Sequence, residues 1–495
     1  MDRTAASPRL PVTVPEHGRD HAELLAEMAT FGAGDANWRQ GRTWSMVYYA
    51  GPAHHAFLKE AHSLFFTENA LNPIAFKSLK KMESDVVRMT AGLVNGPPTT
   101  CGIMTAGGTE SILLAVKTYR DRARKKQPWI LQPEMVAPRT IHVAFGKACA
   151  YFGVKPRYVE VGADFRADPE AMRKAVNRNT IFIAVSAPQY PHGVVDPVEE
   201  VAAIAREKKL PLHVDACVGG FILPWVERLG YPVPRWDFRV PGVTSISADV
   251  HKYGYASPKG ASVVLYRDMK VMRYQFHVST DWPGGIYASP GLLGSRPGGS
   301  IATAWASLMA LGADGFTTLA RDAMEVAAAL QAGIAAIPEL YVMGAPHAPI
   351  VTFGSEVIDI YAVADQLEQR GWAVDRQQFP ASIHCTCNGH NREVLPQYLA
   401  DLQASVDHLK AHPELASQGN AAMYGMMAKV PVRGLVKVAV GKIMEGMYGP
   451  SGEVPDLANL GDSSPLFKAI DRYGAPALAA LEKVKAARDR LLRRG

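Results

Sequence analysis

The chain is poor in cysteine. Its five thiols, Cys101, Cys149, Cys217, Cys385 and Cys387, are scattered over 495 residues. An odd, dispersed set in a long chain argues against a disulfide framework and for reduced thiols in a cytoplasmic setting. Metal chemistry is thinly provided as well. His384-Cys385-Thr386-Cys387-Asn388-Gly389-His390 carries ligand types. On a strand, however, Cys385 and Cys387 share one face and His384 takes the other. No second cysteine pair lies nearby, so the segment reads as packing. No uninterrupted apolar run reaches the roughly 20 residues a membrane span requires. The most apolar region, 326–353, is broken by Gln331, Pro338 and Glu339. The N-terminus lacks the charged-then-apolar pattern of a signal peptide. No dense Lys/Arg run interleaves with aromatics, so a net charge of +6 does not point to nucleic acid. Internal repeats and low-complexity tracts are missing too.

What remains is an ordinary globular composition, 48% hydrophobic and 20% charged, long enough for two or three domains and a large core. Residues 1 to about 35 read as an arm with a short helical run at 21–30. Aromatics then gather (Trp38, Trp44, Tyr48, Tyr49, Phe65, Phe66) ahead of a helix at 79–93, where Met82, Val86, Met89 and Leu93 recur at spacings of three and four. From about 100 to 310 strand-like and helical runs alternate. Strands are expected at 140–143, 180–186, 211–215, 243–247 and 261–266, and helices at 109–125, 147–152 and 197–208. The run at 261–266 is apolar almost throughout and so buried on both faces. Such alternation predicts a mostly parallel sheet covered on both sides, with ligands beyond the carboxyl ends of its strands. From about 335 the pattern changes to an α+β one, with strands at 340–353 and 382–387 and helices at 357–370 and 393–411. A basic, apolar stretch follows at 421–448, and a charged helix at 476–494 closes the chain. The domains are therefore 1–95, an arm and helical segment; 96–335, a large α/β domain; and 336–495, a smaller α+β domain.

Three motifs carry chemistry. The first is Ser245-Ile246-Ser247-Ala248-Asp249-Val250-His251-Lys252-Tyr253-Gly254-Tyr255, a strand-like run leading into a histidine–lysine pair. The second, His213-Val214-Asp215-Ala216-Cys217, is an apolar strand ending in a carboxylate. The third, Thr105-Ala106-Gly107-Gly108-Thr109-Glu110-Ser111, is a glycine turn feeding a helix. Pyridoxal 5′-phosphate needs an amine for a Schiff base, an anion for its ring nitrogen and a helix N-terminus for its phosphate. Lys252 is the amine, and its pKa is expected to be lowered by desolvation and by cationic neighbours, His251 and Lys259 among them. Asp215 is the anion, since an unpaired charge at the end of an apolar strand is costly; the plain alternative is a helix cap. Gly108 and Thr109 offer N–H groups and a hydroxyl to the phosphate, although many such turns merely cap helices. His142 is a candidate to stack on the pyridine face, against the plainer role of a core histidine.

With these motifs in place the chain resembles the group II pyridoxal-phosphate-dependent decarboxylase superfamily of fold type I, and within it the sphingosine-1-phosphate lyase family. The resemblance spans about 38–449. It rests on Asp249-Val250-His251-Lys252-Tyr253-Gly254-Tyr255-Ala256 and on His213-Val214-Asp215-Ala216-Cys217-Val218-Gly219-Gly220-Phe221, whose Cys-x-Gly-Gly-Phe continuation decarboxylases usually lack. Ser186-Ala187-Pro188-Gln189-Tyr190-Pro191-His192-Gly193, Gly294-Ser295-Arg296-Pro297-Gly298 and Met423-Tyr424-Gly425-Met426-Met427 match further blocks. The resemblance implies an aspartate-aminotransferase-like large domain with a mostly parallel seven-stranded sheet, and a homodimer with shared active sites. It implies cofactor contacts by Gly108, Thr109, His142, Asp215, His251 and Lys252, with Ser295 reaching the cofactor phosphate from the partner subunit. Tyr48, Asn69, Asn72 and Lys259 then fall at the substrate phosphate end, and Tyr190 over the reacting bond. Two departures stand out. Asn72 occupies the place of a family histidine and cannot donate the charged hydrogen bond of a histidinium. The spacing from Lys252 to Lys259 is one residue longer than usual. The membrane-spanning helix of the eukaryotic enzymes is missing, which implies a soluble bacterial member.

The expected reaction is retro-aldol cleavage of a phosphorylated long-chain base to a long-chain aldehyde and phosphoethanolamine, with Lys252 or Tyr190 as general base. The alternative on the same fold is an amino-acid decarboxylase, which needs no substrate phosphate pocket. A catalytically silent binding protein is the third reading.

Overall fold

The computed structural model describes residues 13–417 and 433–450. The Met423-Tyr424-Gly425-Met426-Met427 block, the first part of the 421–448 stretch, the expected helix at 476–494 and the start of the arm lie outside them. The chain divides into two compact units. The larger comprises Thr43–Gly354 and His384–Leu399; the other comprises Met1–Arg42, Ser355–Ile383 and Ala400–Gly495.

A seven-stranded sheet is the frame of the larger unit. Its strands are β1 Cys101–Thr105, β2 Glu134–Pro138, β3 Lys155–Val159, β4 Thr180–Ser186, β5 Leu212–Asp215, β6 Val243–Ala248 and β7 Ser262–Tyr266. They lie in the order β1-β7-β6-β5-β4-β2-β3. β7 runs antiparallel to both of its neighbours, and every other pair is parallel. Six strands therefore share one direction and deliver their carboxyl ends to one edge.

The sequence explains why this sheet is covered twice. β4 and β7 are buried at every position, as near-continuous apolar strands must be. Alternation along β4 sends Ile183 and Val185 into one core. Phe182 and Ala184 enter the other, with Ile112, Tyr119 and Phe145. The helix Gly108–Lys126 covers that second face. Glu110 sits in its first turn and Arg124, Lys125 and Lys126 in its last, as the helix dipole favours. The helix Val198–Glu207 buries Val198, Val201, Ala202, Ile204 and Ala205, the stripe read from the sequence. β5 and β6 break the apolar rule on one face only. Leu212, Val214, Ile246 and Ala248 enter the first core, while His213, Asp215, Ser245 and Ser247 form a buried polar strip on the other side.

A short antiparallel pair follows, Tyr341–Val342 with Ile350–Gly354, and two further strands, Asp375–Gln377 and Ser382–Thr386, come later in the chain. In the smaller unit the helix Ile360–Gln369 starts at Asp359, whose carboxylate accepts from Tyr361 N at 2.8 Å. Among the described residues, no helix is long and apolar enough to cross a membrane.

Two expectations need correction. The strand expected at 140–143 is a turn. Its β-branched residues suggest extension, but the strand lies upstream at Glu134–Pro138, and Val143 is 80% exposed. The single strand expected at 340–353 is two short ones, because Gly344, at φ 72°, and two prolines interrupt the run. Two elements carried no clear signal. β3 is a mostly exposed strand at the end of the sheet. The helix Gly298–Ala335 opens on two glycines and is interrupted at Gly312.

Candidate active site

The strand ends assemble the site. β1 ends at Thr105 and passes through Ala106 and Gly107 into the helix Gly108–Lys126. Gly107 adopts φ 145°, which a side chain would strain. Gly108 is required for a different reason. A Cβ there would lie 2.7 Å from both carboxylate oxygens of Asp249 and 2.8 Å from the Cys217 sulfur. The turn is pinned from both sides. The Thr105 and Ser111 hydroxyls meet at 2.7 Å, and Ser111 meets Ser262 of β7 at 2.8 Å. Glu110 accepts from Ala106 N at 2.7 Å and from Leu292 N at 3.1 Å. The N–H groups of the helix's first turn have no partners within the helix, so the pinned turn presents an anion site.

β6 ends at Ala248, and Asp249, His251 and Lys252 follow in a tight turn. Lys252 Nζ lies 3.0 Å from Asp249 Oδ2. His251 Nδ1 sits against the Ala261 backbone, 2.7 Å from its carbonyl and 3.2 Å from its N–H. His251 Nε2 faces Asp249 at 3.8 Å. Burial lowers the His251 pKa and, although Asp249 opposes it, leaves the ring neutral. Burial disfavours the Asp249 charge, yet the Lys252 ammonium, the largest opposing influence, holds the carboxyl below its usual range. The expected lowering of the Lys252 pKa is corrected. Burial does act downward, but Asp249, with smaller contributions from Cys217, Tyr48 and Asp215, raises the value above that of a free lysine. Lys259 is the amine that is lowered, to about 8, first by burial and then by Lys252. Its Nζ donates to the His251 carbonyl at 3.1 Å and stands 4.5 Å over the Tyr48 ring.

On β5, Asp215 is 6% exposed. Its Oδ1 accepts from Cys217 N at 3.1 Å and from Ser247 Oγ at 3.2 Å. Among the described residues no hydrogen bond reaches Oδ2.

A cavity of about 620 Å³ gathers six of the expected site residues on its wall: Gly108, Thr109, His142, His251, Lys252 and Lys259. His142 Nδ1 accepts from Ala144 N at 3.2 Å, which fixes its ring. Asp215 lies off the wall, behind Cys217, which is on it. Tyr48 is buried beneath Lys259. Other expected residues stand apart from this cavity. Asn69 is half-buried, and its side chain accepts from Leu71 N at 3.2 Å. Asn72 is exposed and caps Ile74 N at 2.9 Å. Ser295 is exposed. Tyr190 is half-buried, with its ring 4.2 Å from that of His384.

The sequence reading gave no role to Asp249, Glu110 or the leucines Leu292 and Leu293, all on the wall. Asp249 had a usable signal, a carboxylate three residues before the amine. Glu110 had one as well, at the third helical position, from which a carboxylate reaches back to the turn.

The residues present fit pyridoxal phosphate. The wall offers a helix N-terminus with a hydroxyl for the phosphate, an amine at Lys252 and an imidazole at His142. Behind it stands a carboxylate with one unengaged oxygen. The pattern of the "Pyridoxal-dependent decarboxylase conserved domain" family matches residues 6–356. Sphingosine-1-phosphate lyase 1 of Rattus norvegicus is 43% identical over 439 residues, covering 88% of this chain and 77% of that protein. The solved sphingosine-1-phosphate lyase of Burkholderia pseudomallei superposes with a TM-score of 0.78 at 40% identity, over 82% of this chain and 95% of that one. Glutamate decarboxylase of Lactobacillus brevis, with a TM-score of 0.72 and 21% identity over 81% of this chain and 95% of its own, shares the fold.

Proposed function

The chain belongs to the sphingosine-1-phosphate lyase family of pyridoxal-phosphate-dependent enzymes, and on that premise we propose that it cleaves the C2–C3 bond of sphingosine 1-phosphate or a related phosphorylated long-chain base. The products are a long-chain aldehyde and phosphoethanolamine. The observation that carries this reading is a second amine on the cavity wall. The helix N-terminus at Gly108 and Thr109 serves one phosphate, that of the cofactor. Lys259, apart from Lys252 and backed by the Tyr48 ring, serves another. An amino acid awaiting decarboxylation brings no second phosphate; a phosphorylated base does.

When bound, pyridoxal phosphate supplies the sink for the electrons of the breaking bond. Gly108 and Thr109 would hold its phosphate, Asp215 its ring nitrogen, His142 the face of its ring and Lys252 its aldehyde carbon. His251, neutral and fixed by Ala261, sets the turn that presents Lys252. Lys259, with Tyr48 beneath it, binds the substrate phosphate. Lys252 stands on the wall, whereas Tyr190 leans on His384. We therefore assign removal of the 3-hydroxyl proton to Lys252 Nζ rather than to Tyr190. Leu292 and Leu293 line the cavity and help to exclude water from the reacting centre. The homodimer proposed with this reading gives Ser295 and the turn at 69–72 a cavity to serve, that of the partner subunit.

Substitution of Lys259 tests the assignment. In Lys259→Met the KM for the phosphorylated base rises about tenfold or more, the loss of a charge-assisted contact, while cofactor loading is retained. An unchanged KM contradicts a phosphate role for Lys259.

A further inference from the structure

Asp215 does not stand alone on its strand. His213, two residues earlier on the same face of β5, is fully buried. Its Nδ1 lies 2.7 Å from Ser245 Oγ, and its Nε2 lies 3.2 Å from Ser247 Oγ. Ser247 Oγ in turn lies 3.2 Å from Asp215 Oδ1. At the far end the Tyr119 hydroxyl bonds Ser245 and also meets Thr244 Oγ1 at 2.7 Å.

The directions of these bonds are forced. An ionised carboxylate only accepts, so Ser247 spends its single proton on Asp215. Ser247 can then only accept from His213, which places the ring proton on Nε2. Nδ1 is left as an acceptor, and Ser245 donates to it. Burial pushes the His213 pKa down to about 4 despite the opposing pull of Asp215, so the ring has one proton to place. The Cys217 sulfur, 3.4 Å from Ser247 Oγ, donates to the same hydroxyl. The Phe145 ring, 5.6 Å from the imidazole in an edge-on arrangement, seals the row from its side. From Ser245 onward each donor points toward Asp215 Oδ1, and among the described residues no hydrogen bond reaches Oδ2.

We propose that His213 is a positioning residue for the cofactor's ring nitrogen. Through Ser247 it fixes Asp215 as an oriented anion whose Oδ2 accepts the ring N–H. The inference rests on the reading of Asp215 given above and extends it to a residue that touches neither cofactor nor substrate. A row of aligned hydrogen bonds in a dry interior polarises its members. Breaking it lets the carboxylate rotate and weakens its hold on the ring proton.

The test uses the holoprotein reconstituted with pyridoxal phosphate labelled with nitrogen-15 in the ring. In His213→Leu, the ring nitrogen resonance is expected to move toward the position of an unprotonated pyridine. kcat should fall about tenfold, the scale of losing an outer hydrogen-bond partner, with KM nearly unchanged. His213→Gln, whose amide can donate to Ser247 and accept from Ser245, is expected to restore the resonance most of the way. If His213→Leu does not fold, Ser245→Ala removes only the donor to Nδ1 and should shift the resonance the same way. Folded, loaded His213→Leu with the resonance of the unsubstituted protein overturns the proposal. So do equal shifts in the Leu and Gln variants, which signify packing alone. Borohydride trapping of the cofactor on Lys252 and a shifted resonance in Asp215→Ala check the underlying reading. Failure of either overturns that reading, and this inference with it.

Discussion

Asp249 and Lys252 face each other across a single turn, with Oδ2 3.0 Å from Nζ and the carboxylate side chain only 2% exposed. The pair holds the amine as an ammonium before cofactor arrives, and an ammonium cannot attack a carbonyl. The Lys252 pKa is raised, so the neutral amine grows as pH rises toward that value, and cofactor loading accelerates with it. Asp249→Asn removes the opposing anion and lowers the Lys252 pKa. Its loading profile, followed by absorbance on adding pyridoxal phosphate to apoprotein, is expected to shift to lower pH. An unshifted profile contradicts the role given to Asp249.

Lys259 titrates within reach of experiment. With a pKa near 8 it is mostly an ammonium at pH 7, and its charge is lost as pH rises through about 8. The KM for a phosphorylated base is therefore expected to climb above pH 8, and the climb should disappear in Lys259→Met. The unphosphorylated base should show no such dependence in either protein. A climb that persists in Lys259→Met assigns the titration to another group.

Gly108→Ala tests the close approach at the glycine turn. The added methyl meets the Asp249 carboxylate at 2.7 Å and the Cys217 sulfur at 2.8 Å, and both partners are buried. Overpacking of this kind typically costs about 1–3 kcal/mol. The substituted apoprotein is expected to melt at lower temperature and to bind pyridoxal phosphate more weakly. Unchanged melting and affinity would mean that the turn relaxes freely.

How much of this was legible in the sequence follows from the physics of each segment. β4 and β7 announced themselves, since a short apolar run without helical spacing has few other readings. The glycine turn, Asp215 and Lys252 were legible as one cluster, because strand ends meet at one edge of a parallel sheet. β3 gave little, being polar and exposed over most of its length. The polar strip of His213, Ser245 and Ser247 was hidden as well. Its meaning depends on β5 and β6 lying side by side, with His213 paired to Ser245 and Asp215 to Ser247. The Lys252 pKa was misjudged for a similar reason: the carboxylate three residues away turns back onto the amine only once the turn is formed.

The ion pair of Arg296 and Glu83 supports the segment that carries Ser295. Arg296 Nη1 lies 2.6 Å from Glu83 Oε1, and both side chains are at least nine-tenths buried. Glu83 also accepts from Met104 N at 3.2 Å, and the Arg296 carbonyl accepts from Ala70 N at 2.9 Å. Arg296→Met leaves the buried Glu83 carboxylate with Met104 N and, at 3.5 Å, the half-exposed Lys80 ammonium alone, a loss of up to about 3–5 kcal/mol, readable by urea unfolding. Adding Glu83→Gln should recover part of that loss. Equal stability of Arg296→Met and the unsubstituted protein contradicts this account of the pair.

The central claim is the reaction itself. Purified protein loaded with pyridoxal phosphate is incubated with sphingosine 1-phosphate, and the products are identified by mass spectrometry. The account predicts a long-chain aldehyde and phosphoethanolamine in equal amounts, and neither with Lys252→Ala. Absence of both products, with carbon dioxide released from an amino-acid panel instead, would contradict it and assign the site to decarboxylation.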